Sequence, residues 1–398
     1  MYHPEICNRR LWKIENELDI KFQRFNINDS MKLADSLDRL ITTEQQQNIS
    51  SEQQRFILNE LFLSKWDFRY WNDRYARIVN KEAQLVPIRF WESQEIGFAH
   101  ISDGELEAWK NQHDNLWLWL KARQLGATTV SQSMIIHRLI FHPNTKALIA
   151  SDTPKSSLEL SRKAKGLYEN LPWWMKPSTK FDVKGSELYL EYNRLGDLKT
   201  TLIVGHGGVM KGGIGQGGTT HLFHLTEIPD WENWAQIDED FLPAVPLLPT
   251  SFGVQESTAR GQSGHWYDAF QAAWAGKSRS KALFIPWYAE SQTYQRKPPT
   301  DWVPSKYSQE HAAKVARTSP VYCRGKTIQL SKEQLYWYER TYEEYKFKGR
   351  LPIFFQEYAS DHLEAFQDPT GSLFPYAVIQ SCLADCTGYQ AYAVAQPA

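Results

Sequence analysis

The sequence has only four cysteines in 398 residues, at positions 7, 323, 382 and 386. So few, so widely spaced, do not make a disulfide scaffold, and Cys382 with Cys386 is at most half of a zinc site; reduced thiols are expected. Net charge is also scarce, since 45 Lys and Arg against 46 Asp and Glu leave −1. That balance excludes a whole-chain basic footprint, so any DNA surface must be local. No uninterrupted apolar run reaches the length of a membrane span, and the polar, acid-containing start has no signal-peptide pattern. A cytosolic chain without a membrane partner is expected. Aromatic residues, by contrast, make up 14% of the chain with 16 Trp, and at that density most belong to a core or to subunit contacts. The length allows a large core and at least two structural units.

Residues 116–132 organise the reading. Leu116 to Leu120 form a continuous apolar run, the pattern of a strand buried on both faces of a parallel sheet. Lys121-Ala122-Arg123-Gln124-Leu125-Gly126-Ala127-Thr128-Thr129 follow, and residues 129–141 carry a helical pattern. Against the phosphate-loop pattern G-x-x-x-x-G-K-[ST], Gly126 takes the second glycine and Thr128 the hydroxyl, whereas Lys121 replaces the first glycine and Ala127 the lysine. Backbone N–H groups and the helix N-terminus can hold phosphate oxygens. Thr128 can ligate Mg²⁺, and Lys121 or Arg123 can supply the missing cation. An ordinary strand-to-helix turn with surface cations fits the same residues.

Other segments supply further candidates. Helices are expected over residues 1–60, with spacings such as Leu33, Leu37, Leu40 and Ile57, Leu58, Leu61 and a loose connection at 42–51, and one helix over 62–80 with Phe68, Trp71, Tyr75 and Ile78 as a largely aromatic stripe. A strand-like segment from residue 86 precedes Gln94, whose amide can pair with an adenine edge or sit at the surface. Strands are expected at 147–150, at 188–192 paired with 200–204, at 220–228 and at 252–261, with a basic amphipathic helix at 155–171. Glycines crowd residues 205–218, a loop that either grips a backbone through His206 and Lys211 or lies free at the surface. The strand at 220–228 ends in Glu227, placed as a water-activating or Mg²⁺-side carboxylate must be, with Thr226 where an aspartate is usual. A plain strand end fits Glu227 as well. His221 and His224, three apart on that strand, point to opposite faces and make no metal pair, and Trp231 and Trp234 should begin the next helix. Ser257 and Thr258 can sense a γ-phosphate and Arg260 can complement its charge. Composition shifts near residue 290, and Ser331-Lys332-Glu333-Gln334 is a capping box opening a helix toward Gly349.

Taken in order, these motifs resemble the ATPase part of the large subunit of a phage terminase, a motor that pumps DNA into a procapsid. The resemblance covers about residues 62–376. Lys121 to Thr129 resemble the family's deviant phosphate loop, which makes Lys121 the phosphate lysine, and Gln94 matches the adenine-reading position. Leu225-Thr226-Glu227 resemble its variant acidic strand, with Glu227 the catalytic glutamate, and Gln255-Glu256-Ser257-Thr258-Ala259-Arg260-Gly261 resemble its coupling motif. Residues 284–287, 354–358 and 364–366 resemble segments leading to the family's nuclease domain. The resemblance implies a RecA-like α/β phosphate-loop core (the additional-strand, catalytic-glutamate class) with a mainly parallel sheet over residues 86–290. It also implies a helical region at 1–85 and a lid or linker at 291–398.

ATP and Mg²⁺ are the implied cofactors, with the ion on Thr128 and, partly through water, Glu227. Arg123 is the first candidate for a charge-stabilising arginine and Arg260 the second; a neighbouring subunit's arginine is also open. Implied partners are double-stranded DNA of any sequence, a portal protein, the small terminase subunit and further copies in a ring, in the host cytoplasm. Family members normally continue into an RNase-H-like nuclease. Beyond Phe366 only Asp368 and Asp385 are acidic, too few for two metals, so cleavage is not assigned to these residues. Two alternatives stand beside the motor: a helicase-like DNA-remodelling ATPase, and a nucleotide-binding structural subunit without turnover, suggested by Ala127 and Thr226.

Overall fold

The computed structural model describes residues 2–17, 32–34, 36, 37, 39, 40, 42–184, 187–193, 199–207, 219–231 and 234–367. Its strands are β1 (Arg77–Val79), β2 (Leu85–Pro87), β3 (Leu116–Lys121), β4 (Lys146–Ser151), β5 (Ser178–Lys184), β6 (Glu187–Asn193), β7 (Thr200–His206), β8 (Leu222–Thr226), β9 (Phe252–Ser257) and β10 (Lys281–Ile285). The helices up to the loop strand's own are α1 (Pro4–Glu17), α2 (Thr43–Gln47), α3 (Ser51–Trp66), α4 (Phe68–Tyr75), α5 (Glu92–Asn111) and α6 (Ala127–Phe141). Then come α7 (Pro154–Glu169), α8 (Trp234–Phe241), α9 (His265–Trp274), α10 (Lys306–Tyr322), α11 (Lys332–Phe347), α12 (Leu351–Glu357) and α13 (His362–Ala365).

Eight strands form one sheet in the order β10-β3-β9-β8-β4-β7-β6-β5. The six from β10 to β7 are parallel, and β6 and β5 add an antiparallel edge. Strands β8 and β9 are buried along their whole length, as strands covered on both faces must be. The expected α/β class with a mainly parallel sheet is therefore the observed one. Moreover, β9 stands between the loop strand β3 and the acid-bearing β8, the additional-strand arrangement expected of a RecA-like core. Trp119 of β3 is fully buried, and α5 can cross it only at Gly97, where a Cβ would lie 2.7 Å from the indole.

Several expected elements differ. The helix expected over 62–80 breaks at Asp67, which is extended (φ −129°, ψ 98°) and whose carboxylate accepts the Tyr70 N–H at 3.0 Å, capping α4. Phe68, Trp71 and Tyr75 keep a common buried helix, while Ile78 falls on β1. Local capping overrides the period here. The strand-like stretch before Gln94 reduces to β2, paired with β1 away from the main sheet, and Gln94 lies in the first turn of α5. The connection at 42–51 contains α2, because Thr42 and Ser50 each open a helix with a capping box. The loop's helix starts at Ala127, the strand at 252–261 ends at Ser257, and Trp231 closes a 3-10 turn before α8 begins at Trp234. The capping box at Ser331 is present and opens α11.

Aromatic residues gather in the C-terminal helices, where Trp287 is fully buried against Trp337 and Tyr338, and His311 stacks on Tyr338 at 3.8 Å. Cys7 and Cys323 are buried thiols. Lys211 with most of the glycine-rich stretch, and Asp368, Cys382, Asp385 and Cys386, lie outside the described residues. Among the described residues no helix is long and apolar enough to cross a membrane.

Candidate active site

The loop between β3 and α6 leaves the sheet at the C-terminal ends of the parallel strands, the edge at which open α/β sheets bind ligands. Its start is pinned: Ala122 N–H donates to the Ile285 carbonyl at 2.9 Å and Arg123 N–H to the Glu357 carbonyl at 3.0 Å. Tyr294 donates its hydroxyl to the Arg123 carbonyl. Between these anchors and α6, the backbone N–H groups of Gln124, Leu125, Gly126, Ala127 and Thr128 have no partner among the described residues. They make a row of donors at a helix N-terminus, suited to phosphate oxygens.

Gly126 sits at φ 72°, and a Cβ there would lie 2.3 Å from Gln94 Nε2. The left-handed backbone favours glycine, and a methyl group there would displace the Gln94 amide. Gln94 donates to the Gly126 carbonyl at 3.1 Å and accepts the Trp91 N–H at 2.8 Å. The amide assigned to adenine by resemblance thus ties α5 to the loop, leaving its second N–H and one lone pair for a ligand.

Lys121 ends β3 with its ammonium 3.0 Å from Glu256 Oε2. Glu256 has 1% exposure, and its other oxygen, Oε1, accepts from Thr226 Oγ1 at 2.9 Å and from Thr128 Oγ1 at 3.3 Å. His224 Nε2 lies 3.3 Å from the same oxygen and, facing an acceptor, donates to it. Burial alone would raise the Glu256 pKa, but the Lys121 charge and the His224 and Lys121 hydrogen bonds hold it well below the usual carboxylate range. His221 bonds instead to the Lys146 N–H, so the two histidines do not meet.

Glu227 follows β8 in the left-handed region (φ 57°, ψ 39°), its N–H held by the Glu256 carbonyl at 3.0 Å. This sparsely populated backbone in a non-glycine residue turns the side chain out of the strand to a partly exposed position. Burial and the Glu256 charge raise its pKa, against the opposing charges of Lys121 and Arg260. Arg260 grips Asp230 through Nε (3.3 Å) and Nη2 (3.0 Å), donates from Nη1 to Thr258 Oγ1 at 2.7 Å, and approaches Glu227 to 3.8 Å. Thr258 and Arg260 are thereby wired to the Glu227 turn. Ser257 is fully buried, and alternation along β9 puts it on the face opposite Glu256. Arg123 pairs with Glu357 at 2.6 Å, which makes it a contact between the loop and α12.

The structure therefore brings Lys121, Thr128 and Glu227 to one edge, with Gln94 behind the loop, Arg260 beside Glu227 and Arg123 turned to α12. Sequence reasoning missed Glu256 as an individual residue, although it stood inside the quoted coupling motif. Its signal was a carboxylate on the same face as the apolar Phe252 and Val254 of a strand buried along its whole length. The donor set fits the implied groups: amides and an ammonium for phosphates, hydroxyl and carboxylate oxygens for a hard cation. Among the described residues no three His, Cys, Asp or Glu side chains converge as a metal cage. Mg²⁺ keeps most of its waters and needs few protein ligands.

No family model and no curated protein matches this chain. Among solved structures it is similar to the large terminase of bacteriophage HK97, at 12% identity and TM-score 0.48, over 73% of this chain and 53% of that one. It is also similar to the large terminase ATPase domain of Thermus phage P74-26, at 13% identity and TM-score 0.39, over 65% and 92%. A third is the large terminase of another thermophilic bacteriophage in complex with ADP, at 11% identity and TM-score 0.33, over 50% and 46%. The solved structures named are all phage large terminases, matched at low identity, and this chain spans about half the length of the HK97 protein.

Proposed function

We propose that this chain hydrolyses ATP at the β3–α6 loop and uses the reaction to move along double-stranded DNA, as a motor subunit of the terminase type. The observation that carries the ATPase reading is the convergence of unpartnered loop amides, Lys121, Thr128 and Glu227 at the C-terminal edge of one parallel sheet. The DNA reading rests on the ordered motifs of the sequence. A motor indifferent to sequence should hold phosphates rather than base edges.

In this reading the amides of residues 124–128 and the Lys121 ammonium hold the phosphate oxygens of ATP. Thr128 would hold Mg²⁺, which when bound neutralises phosphate charge and helps position the transferred group. Glu227, half-withdrawn from solvent and raised in pKa, orients the attacking water and takes its proton. Arg260 reaches Thr258, Asp230 and Glu227 together, and so can pass a change at the phosphate edge to the turn after β9. Arg123 becomes available to phosphate when it leaves Glu357. Portal protein, small subunit, a ring of copies and the host cytoplasm belong to the same proposal.

The test is steady-state hydrolysis of Mg–ATP with and without linear double-stranded DNA. Turnover that DNA stimulates several-fold supports the motor. Turnover indifferent to DNA would favour an ATPase of another kind, and tight ATP binding without turnover the structural subunit.

A further inference from the structure

The strand that leads to the proposed catalytic acid has a gap in it. In phosphate-loop ATPases the loop's Ser or Thr shares Mg²⁺ with an aspartate at the end of a neighbouring strand. Here that strand, β8, ends in Thr226, whose hydroxyl cannot replace a carboxylate's charge. The sheet register shows what stands beside it. Thr226 is paired directly with Glu256 of β9, and Glu256 is paired on its other side with Trp119 of β3. Directly opposed residues share a face, and alternation places Lys121, two beyond Trp119, and His224, two before Thr226, on that same face.

One carboxylate thus sits at the junction of three strands and the start of α6. It takes a hydrogen bond from the Thr226 hydroxyl at 2.9 Å and from the Thr128 hydroxyl at 3.3 Å, with the Lys121 ammonium at 3.0 Å. A purely structural role is poorly motivated, because Phe252 and Val254, the same-face residues of β9, are apolar and buried. Replacing a buried ion pair by apolar packing is often neutral or stabilising, so stability alone gives little reason for an acid on this face.

Resting on the nucleotide reading above, we propose that Glu256 supplies the carboxylate of the Mg²⁺ site, transferred from the end of β8 to its neighbour β9, and shares the ion with Thr128. Lys121 covers that carboxylate until nucleotide arrives. Its ammonium then turns to the phosphates, and the cation takes over the neutralisation of Glu256. The acid strand and the coupling motif are consequently one unit: Glu256 touches the ion, and the next two residues begin the coupling turn.

The experiment measures ADP binding with a fluorescent ADP, and Mn²⁺ binding to the ADP complex by electron paramagnetic resonance. It uses the full chain, Glu256→Gln, and Thr226→Asp combined with Glu256→Gln. Glu256→Gln is expected to bind metal-free ADP as well as or better than the unaltered chain, and to hold Mn²⁺ about 10–100-fold more weakly. The double variant returns a carboxylate to β8, keeps a partner for Lys121, and is expected to recover Mn²⁺ affinity. Mn²⁺ affinity unchanged in Glu256→Gln, or a folded double variant no better than the single one, overturns the assignment. Failure of the unaltered chain to bind ADP with or without metal is a different result, and overturns the nucleotide reading together with this one.

Discussion

Glycine 126 shows how narrowly single residues are specified at this site. At its φ of 72° any side chain is strained, and a methyl group would push the Gln94 amide away from the Gly126 carbonyl. Gly126→Ala is expected to cost about 1–3 kcal/mol, the usual range for a residue forced into a sparse backbone region. Chemical denaturation would read that loss, and nucleotide titration a weakened site. Glu227, the general base of the proposed reaction, is the other residue with a direct consequence. A general base must be ionised, and its pKa lies above the ordinary glutamate value of about 4.3 because of burial and the Glu256 charge. Hydrolysis should therefore be present above the raised pKa and fall as pH falls through it. Removing an opposing cation with Arg260→Gln should move this acid limb to higher pH; a pH–rate profile of kcat/KM, which reports the nucleotide-free protein, would show it for the two proteins, and coincident limbs would dissociate the limb from Glu227. The positions of Lys121, Thr128 and Glu227 at strand ends and in the loop were legible in the sequence. The contact of Glu256 with Lys121, Thr128 and Thr226 was not, because it depends on which strands are neighbours, and the register of β8, β9 and β3 is a long-range property.

At the scale of elements, the loop is held by the two helices that flank it, and these are joined by a buried ion pair. Arg138 of α6 lies 2.8 Å from Glu105 of α5, both side chains almost wholly buried. Arg138→Ala leaves the carboxylate buried without its guanidinium and is expected to destabilise the chain by about 3–5 kcal/mol. Arg138→Met with Glu105→Gln removes both charges while keeping an acceptor for the buried Tyr2 N–H, and should recover most of that loss; urea denaturation of the two variants distinguishes an uncompensated charge from lost packing. The sequence exposed the parallel strands well, since buried runs such as Leu116 to Leu120 admit few other readings. It misjudged the 62–80 segment because a hydrophobic period says nothing about where a chain turns. Asp67 ends one helix and caps the next without disturbing the period of Phe68, Trp71 and Tyr75. The same short-range preference of side-chain oxygens for free N–H groups, at Thr42 and Ser50, produced α2 in a segment expected to be loose.

At the scale of the molecule, the C-terminal helices meet the loop after β3 at Glu357. Glu357 of α12 binds Arg123 by both its carboxylate and its carbonyl, and Tyr294 holds the Arg123 carbonyl. The aromatic core around Trp287, Trp337 and Tyr338 ties those helices together behind this contact. Arg123 can serve Glu357 or a phosphate, but one guanidinium serves both poorly. Glu357→Ala is expected to tighten ATP binding by up to about fivefold, the scale of a partly exposed ion pair, as the competing carboxylate is lost. Equal affinities would make Arg123 a strut between loop and helix and leave Arg260 as the charge-stabilising candidate.

The most direct single measurement is phosphate release from Mg–ATP by the purified chain, compared with Glu227→Ala under conditions where both are saturated with nucleotide. The unaltered chain should release phosphate, while Glu227→Ala, still binding ATP through its loop amides and Lys121, should release it at least about 100-fold more slowly, the scale of a lost general base. Equal rates in the two proteins would contradict the assignment of hydrolysis to this edge of the sheet.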